Sequence, residues 1–165
     1  SDGKTYTSDQ ATIWRWRTAF QNDFAARMDW TIADYRHANH NPLVEVNGQS
    51  GTAPIHIDAT VGKPTVLDAS HTHDPDGQVR HYTWFLYPEA GSTGNNLSAV
   101  TINAADTAKA VVTPTAVCRP MWLPLGPPCK GNGTAHIILA VTDDGSPQLT
   151  SYRRVILTVH PEMKH

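Results

Sequence analysis

The sequence predicts a mainly β protein: an immunoglobulin-like antiparallel β-sandwich preceded by one long N-terminal α-helix. Three observations carry this reading. From residue 43 onward, short runs rich in Val, Thr and Ile alternate with Gly, Pro, Asn and Asp turns. Only residues 8–36 show helical periodicity. No long helical segment separates the strand candidates, which argues against a parallel sheet.

Composition bounds the function. The 165 residues are 39% hydrophobic, enough for a domain that buries roughly two thirds of its surface. Charged residues are only 17%, and 12 prolines and 11 glycines supply turns. The formal net charge is −2, so no broad basic surface attracts nucleic acid or anionic lipid. No apolar run is long enough to span a membrane as a helix. The sequence opens on Ser1-Asp2-Gly3 without a signal peptide, and we read it as a piece of a longer secreted protein.

The helix is justified first. Thr7-Ser8-Asp9-Gln10 offers an N-cap, with Thr7 and Gln10 spaced as a capping box. Ile13, Trp16, Phe20, Phe24, Met28, Ile32 and Tyr35 then recur at steps of three and four and form one apolar stripe. Trp14 and Trp30 fall off that stripe. A helix apolar on more than one face packs against more than one partner, so the expectation is the sandwich on one side and an absent domain on the other. Ala38-Asn39-His40-Asn41-Pro42 ends the helix, because Pro42 biases Asn41 away from helical angles. The boundary therefore falls between a helical segment, 1–41, and the sandwich, 42–165.

The expected strands are Leu43–Val46, Pro54–Asp58, Thr65–Asp68, Val79–Tyr87, Ser98–Asn103, Ala108–Thr113, Thr134–Thr142 and Tyr152–His160. Asn47-Gly48, Val61-Gly62-Lys63-Pro64, Asp74-Pro75-Asp76-Gly77 and Asp143-Asp144-Gly145-Ser146-Pro147 provide turns between them. Alternation places Tyr82, Trp84 and Leu86 on one face, and His81, Thr83, Phe85 and Tyr87 on the other. In the same way Ile137, Leu139 and Val141 oppose His136, Ile138 and Ala140, and Val155, Leu157 and Val159 oppose Arg154, Ile156 and Thr158. Trp84, in mid-strand, is expected in the core.

Cys118 and Cys129 flank a Pro-rich loop that contains Trp122. We expect a disulfide there, worth about 2–3 kcal/mol by the chain-entropy argument; two free thiols are the alternative. Sequons at Asn96-Leu97-Ser98 and Asn132-Gly133-Thr134 mark Asn96 and Asn132 as glycosylation candidates in loops. Both features suit an oxidising, extracellular setting.

Two segments resemble known sandwich domains. Val66–Gly77, reading Val-Leu-Asp-Ala-Ser-His-Thr-His-Asp-Pro-Asp-Gly, resembles the early strand and loop of polycystic-kidney-disease-type (PKD) and related Ig-like domains. Ala135–Gly145 resembles their penultimate strand and turn. Tyr82–Tyr87 departs from the pattern, since a Trp-Asp-Phe-Gly-Asp-Gly type segment belongs there. The helical segment is more specific. Trp14-Arg15-Trp16-Arg17, Asn22-Asp23-Phe24-Ala25-Ala26-Arg27-Met28 and Ala38–Pro42 resemble the cellulose-binding protein family that joins a nucleoside-hydrolase-like domain to a C-terminal sandwich. That resemblance covers essentially the whole chain. It implies a secreted protein of a microbe that degrades plant cell walls, with cellulose or another β-glucan as one partner and an upstream nucleoside-hydrolase-like domain as the other. The aspartate-rich metal motif of the upstream domain has no counterpart here, because Asp2 and Asp9 lack its spacing.

Candidate chemistry follows from these residues. Sugar rings present flat apolar faces with hydroxyls at the rim, and proteins meet them with exposed aromatic rings and a few polar groups. Trp122, Trp14, Trp16, Trp30, Tyr35 and Tyr87 are the candidates; packing against neighbouring structure is the plainer role for each. Asp68, Asp74, Asp76, Asp143 and Asp144 lie in loops expected at one end of the sandwich, and clustered carboxylates suit calcium. Turn chemistry explains the same aspartates without a metal. His71 and His73 point the same way in an extended segment and could join a zinc or copper site. Catalytic motifs are lacking: the chain has no Gly-x-Ser-x-Gly elbow and no phosphate or dinucleotide loop, and Glu45, Glu89 and Glu162 are its only glutamates. The expectation is a non-catalytic polysaccharide-binding module that requires no cofactor, with calcium as an option. A structural module supporting the upstream domain is the alternative.

Overall fold

A computed structural model describes residues 7, 8, 10–91, 97–117 and 131–162. Two short helices, α1 (Ala11–Trp14) and α2 (Arg17–Asp29), precede seven strands. These are β1 (Ile55–Thr60), β2 (Thr65–Asp68), β3 (His81–Leu86), β4 (Ala99–Asn103), β5 (Lys109–Ala116), β6 (Gly133–Thr142) and β7 (Thr150–His160). They form two sheets, in the orders β1-β7-β6-β3 and β2-β5-β4.

The expected alternation holds where the two sheets face each other. Trp84, Leu139, Val141, Val155, Leu157 and Val159 point inward with Leu67 and Val112 of the opposite sheet, and all are buried. Burial of side chains this size is the main source of the fold's stability. The Trp84 indole N–H is satisfied by the Thr107 carbonyl at 2.9 Å, so its burial leaves no orphaned donor. Asn47 and Gly48, at φ 50° and 75°, turn the chain between Val46 and Gln49, which exchange backbone hydrogen bonds. Gly133 lies so close to the Val117 carbonyl and the Ser98 hydroxyl that a Cβ would collide with both.

Four expectations need correction. The sheet is not wholly antiparallel, because β1 pairs with β7 in parallel, Ile55 opposite Val155 through Thr60 opposite His160. No crossover helix is required, since the entire sandwich connects the first strand to the last. Leu43–Val46 forms no named strand; it contributes isolated bridges, Leu43 to His73 and Val46 to Gln49. The helix is shorter than 8–36 and is interrupted at residues 15 and 16. Past Asp29, the Asp34 carboxylate accepts the amides of Arg36 and His37, a side-chain turn that competes with helix continuation. The capping box does not form: Gln10 is the N-cap without a side-chain bond, and its amide donates instead to the Ser8 hydroxyl at 3.2 Å.

Apart from Trp16, the apolar stripe is largely exposed. Ile13, Phe20, Phe24, Met28, Ile32 and Tyr35 are between 51 and 88% exposed. Trp16, the N-cap of α2, and Asn22 make the contacts with the sandwich. The Asn22 amide donates to the Gln148 carbonyl at 2.8 Å, and Ala26 is the buried side chain of the helix.

Candidate functional site

The break between α1 and α2 determines the site. It leaves Trp16 at the start of α2, directed at the outer face of the four-stranded sheet. Alternation on β3 puts Phe85 on that outer face, and Tyr152 stands on the outer face of β7. The Trp16 ring lies 6.0 Å from Phe85, 5.7 Å from Tyr87 and 5.0 Å from Tyr152, centroid to centroid. It meets Tyr87 at 79° and Tyr152 at 88°, edge to face, a favoured arrangement for aromatic quadrupoles. Arg15 caps the cluster from one side, with its guanidinium 5.4 Å from the Tyr87 ring centroid and 2.9 Å from Glu89.

Beside this cluster runs an open groove of about 430 Å³, lined by Trp16, Ala19, Phe20, Asp23, Thr150 and Tyr152. Its walls are mostly apolar, with a carboxylate and a hydroxyl at the edge. Arg27 holds the Asp23 carboxylate at 2.7 Å, which leaves further acceptor capacity. The Thr150 hydroxyl pairs with that of Thr142 at 2.9 Å. Partial burial raises the pKa of the Tyr152 phenol, so it remains a neutral hydroxyl.

A second aromatic group surrounds the end of the helical segment. Trp30 stacks on His40 at 5.7 Å and 18°, and its indole N–H donates to the Asn39 carbonyl at 2.7 Å. Tyr35 lies 4.0 Å from the same imidazole, and Arg27 approaches Trp30 at 5.5 Å. Both rings pack on His40; Trp30 is half-buried there, while Tyr35 stays largely exposed. Trp14 is part-exposed on α1. Trp122, Cys118, Cys129 and Asn96 lie outside the described residues, while Asn132 is exposed just before β6.

The structure divides the five aspartates. Asp68 ends β2 and pairs with Lys109 at 2.8 Å. The Lys109 ammonium and the Ser70 hydroxyl and amide beside it hold its carboxyl well below the usual carboxylate range. The other four do lie in neighbouring loops, since the Asp144 carboxylate accepts the Val79 amide at 3.0 Å. Each accepts at least one protein donor, although Asp74 Oδ2 is buried without a hydrogen-bond partner among the described residues. Asp74 accepts the amides of Asp76 and Gln78, Asp76 accepts the His40 amide at 2.7 Å, and Asp143 accepts those of Gly145 and Leu149. Asn39 ties the loops together through Asp143, Pro147 and Gln78. Among the described residues no three His, Cys, Asp or Glu side chains converge as metal ligands. His71 sits 3.3 Å from Glu45, and His73 faces Leu43 across a backbone bridge.

Residues 65–159 match the family described as "Cellulose-binding protein Sde0182, C-terminal domain". The chain belongs to this family. A solved structure, "a nucleoside hydrolase-related hypothetical protein from Saccharophagus degradans that is associated with carbohydrate metabolism", is 38% identical with a TM-score of 0.76. The alignment covers 94% of this chain and 34% of that one, so the chain spans about a third of that relative's length. The PKD domain of the KIAA 1837 protein aligns at 23% identity and a TM-score of 0.42, over 72% of this chain and 97% of that one. Comparison with curated proteins gives no match.

Among the described residues of this cellulose-binding protein family domain, the groove takes in one of the expected aromatic residues, Trp16, with Tyr87 in the cluster behind it. Phe20, Asp23, Thr150 and Tyr152 were not among the expected residues. Tyr152 was open to detection, because the inward phase of Val155, Leu157 and Val159 puts position 152 outward, where a large ring stands out. Phe20 was hidden by its place in a stripe that reads as a packing face.

Proposed function

We propose that this domain binds polysaccharide without catalysis, and that the groove between α2 and β7 takes a single β-glucan chain such as one from cellulose. The observation that carries this is an open groove walled by Trp16, Phe20 and Tyr152 with Asp23 and Thr150 at its edge. Apolar ring faces suit the flat faces of glucose units, and the carboxylate and hydroxyl suit the equatorial hydroxyls. Membership of a cellulose-binding protein family supports the ligand class. Contact alone supplies the affinity, so no metal or cofactor is needed. Such a module acts outside the cell, where insoluble polysaccharide is found.

The ring geometry refines the ligand. Trp16 and Tyr152 meet at 88°, so they form a corner and not a coplanar strip. A corner holds one chain from the side, whereas a crystalline face needs rings lying in one plane. The domain therefore favours amorphous cellulose and soluble β-glucans over crystalline cellulose.

Pull-down on amorphous cellulose, crystalline cellulose and a soluble mixed β-glucan tests this, with Tyr152→Ala alongside. Tyr152 is partly exposed and central to the groove, so its loss should lower retention on amorphous material at least tenfold without unfolding the domain, about 1.4 kcal/mol of binding. No retention of the wild type at about 100 μM protein, where even a −5.5 kcal/mol interaction shows, would sink the reading. Equal retention of the variant would move the site away from the groove.

A further inference from the structure

The outward apolar side of the helical segment, from α1 through α2 to Ile32, is the main feature that the groove does not explain. Ile13, Phe20, Phe24, Met28 and Ile32 follow one another at spacings of seven, four, four and four, and every one is at least half exposed. A row of large apolar side chains left this exposed marks a contact with another folded body. The helix itself is held from behind by Trp16 on Tyr152 and by Asn22 on Gln148, so the stripe cannot turn inward to bury itself.

We propose that this stripe seats a domain that precedes the helix in the longer protein. Two observations select this occupant over a second copy of the chain. The family is described as a C-terminal domain, and the 38% identical structure extends well beyond the 34% of its length aligned here. The stripe lies on the elements that come first in the chain, ahead of the sandwich. A domain joined just before α1 would face the stripe across a short tether, which raises its effective concentration there to about the millimolar range. Its complementary surface is apolar, rimmed by acceptors and donors for Arg17, Arg27 and Asp29.

Phe20 belongs to both the stripe and the groove. Docking on the stripe therefore builds out the groove wall at Phe20, and a bound glucan chain runs along the seam between the two domains. The inference of docking is independent of what the groove binds; only this consequence rests on the polysaccharide reading.

Backbone hydrogen exchange decides the matter, measured on the 165-residue chain and on the same chain carrying the sequence that precedes it. Amides of residues 17–29 should exchange at least about tenfold more slowly in the longer protein. Phe24→Ser and Met28→Ser, singly and together, should return that exchange to the rate of the short chain, while the amides of β6 and β7 stay unchanged. Sedimentation of both forms completes the test. Equal exchange in the two monomeric forms overturns the proposal. So does self-association of both forms that Phe24→Ser abolishes, since the occupant is then a second copy. Loss of glucan retention with the protection pattern intact would overturn the groove reading alone.

Discussion

The protonation state of His136 bears directly on the stability of the sandwich. It is nearly buried on β6, and its Nδ1 accepts from Arg154 Nε at 3.1 Å and from Nη2 at 2.7 Å. An imidazole that accepts from a guanidinium must be neutral at that nitrogen. Burial first, then the Arg154 and His56 charges, lower its pKa from the ordinary value. A depressed pKa means that the unfolded chain takes up a proton before the folded one does. The stability this residue contributes is therefore present above about pH 6.5, the unfolded value, and is lost as the pH falls toward the folded one. Urea midpoints measured from pH 7.5 to 5 should decline, and His136→Gln, which still accepts from Arg154 but does not titrate, should flatten the decline. Asp68 acts in a different window: its lowered pKa gives a contribution that is intact above about pH 4 and is lost below it. The two effects are separable by pH alone.

At the scale of elements, α2 is a helix with two occupied roles and one small contact residue between them. Ala26 is 1% exposed, so a larger side chain has no room there, and Ala26→Leu should cost about 1–3 kcal/mol in urea unfolding. Phe24→Ala, on the opposite face, should change the stability of the 165-residue chain by no more than about 0.5 kcal/mol. The contrast also shows what a sequence discloses. Strand interiors were legible, because alternation on β3, β6 and β7 has one solution once Trp84, Leu139 and Leu157 need a dry side. Thr65–Asp68 was predicted to the residue, as its turns are bounded by Pro64 and the Asp68-Ala69-Ser70 bend. The helix was legible as a helix but not in its orientation. Size and periodicity group Phe20, Phe24 and Met28 into one apolar stripe without saying what it faces, whereas the observed contacts run through Trp16 to Tyr152 and through Asn22 to Gln148. The groove inherits that difficulty, since it joins residues more than a hundred positions apart, Trp16 with Tyr152, which no local pattern relates. The parallel pairing of β1 with β7 escapes a local pattern for the same reason.

For the whole molecule, the question is how independent the sandwich is of what comes before it. Every residue of its core cluster lies between Val44 and Val159, so the sandwich should fold without the helices. Asn39 and His40 nevertheless bond into its loops, Asn39 to Asp143, Pro147 and Gln78, and His40 to Asp76. A chain beginning at Ala38 should therefore be more stable than one beginning at Pro42 by about 4 kcal/mol, at roughly 1 kcal/mol for each hydrogen bond lost. Thermal unfolding of the two truncated chains checks this, and equal midpoints would place the working boundary at Pro42.

The parallel pairing of the first strand with the last bears on how the molecule carries load. Ile55–Thr60 and Val155–His160 lie side by side and run in one direction. Tension between the entry of β1 and the exit of β7 drags the two strands lengthwise past each other. The hydrogen bonds along the pair are then strained together, and none can open ahead of the rest as in a zipper. A domain built this way resists being pulled apart along its own chain, which is the mechanical demand on any link between an insoluble fibre and whatever it tethers.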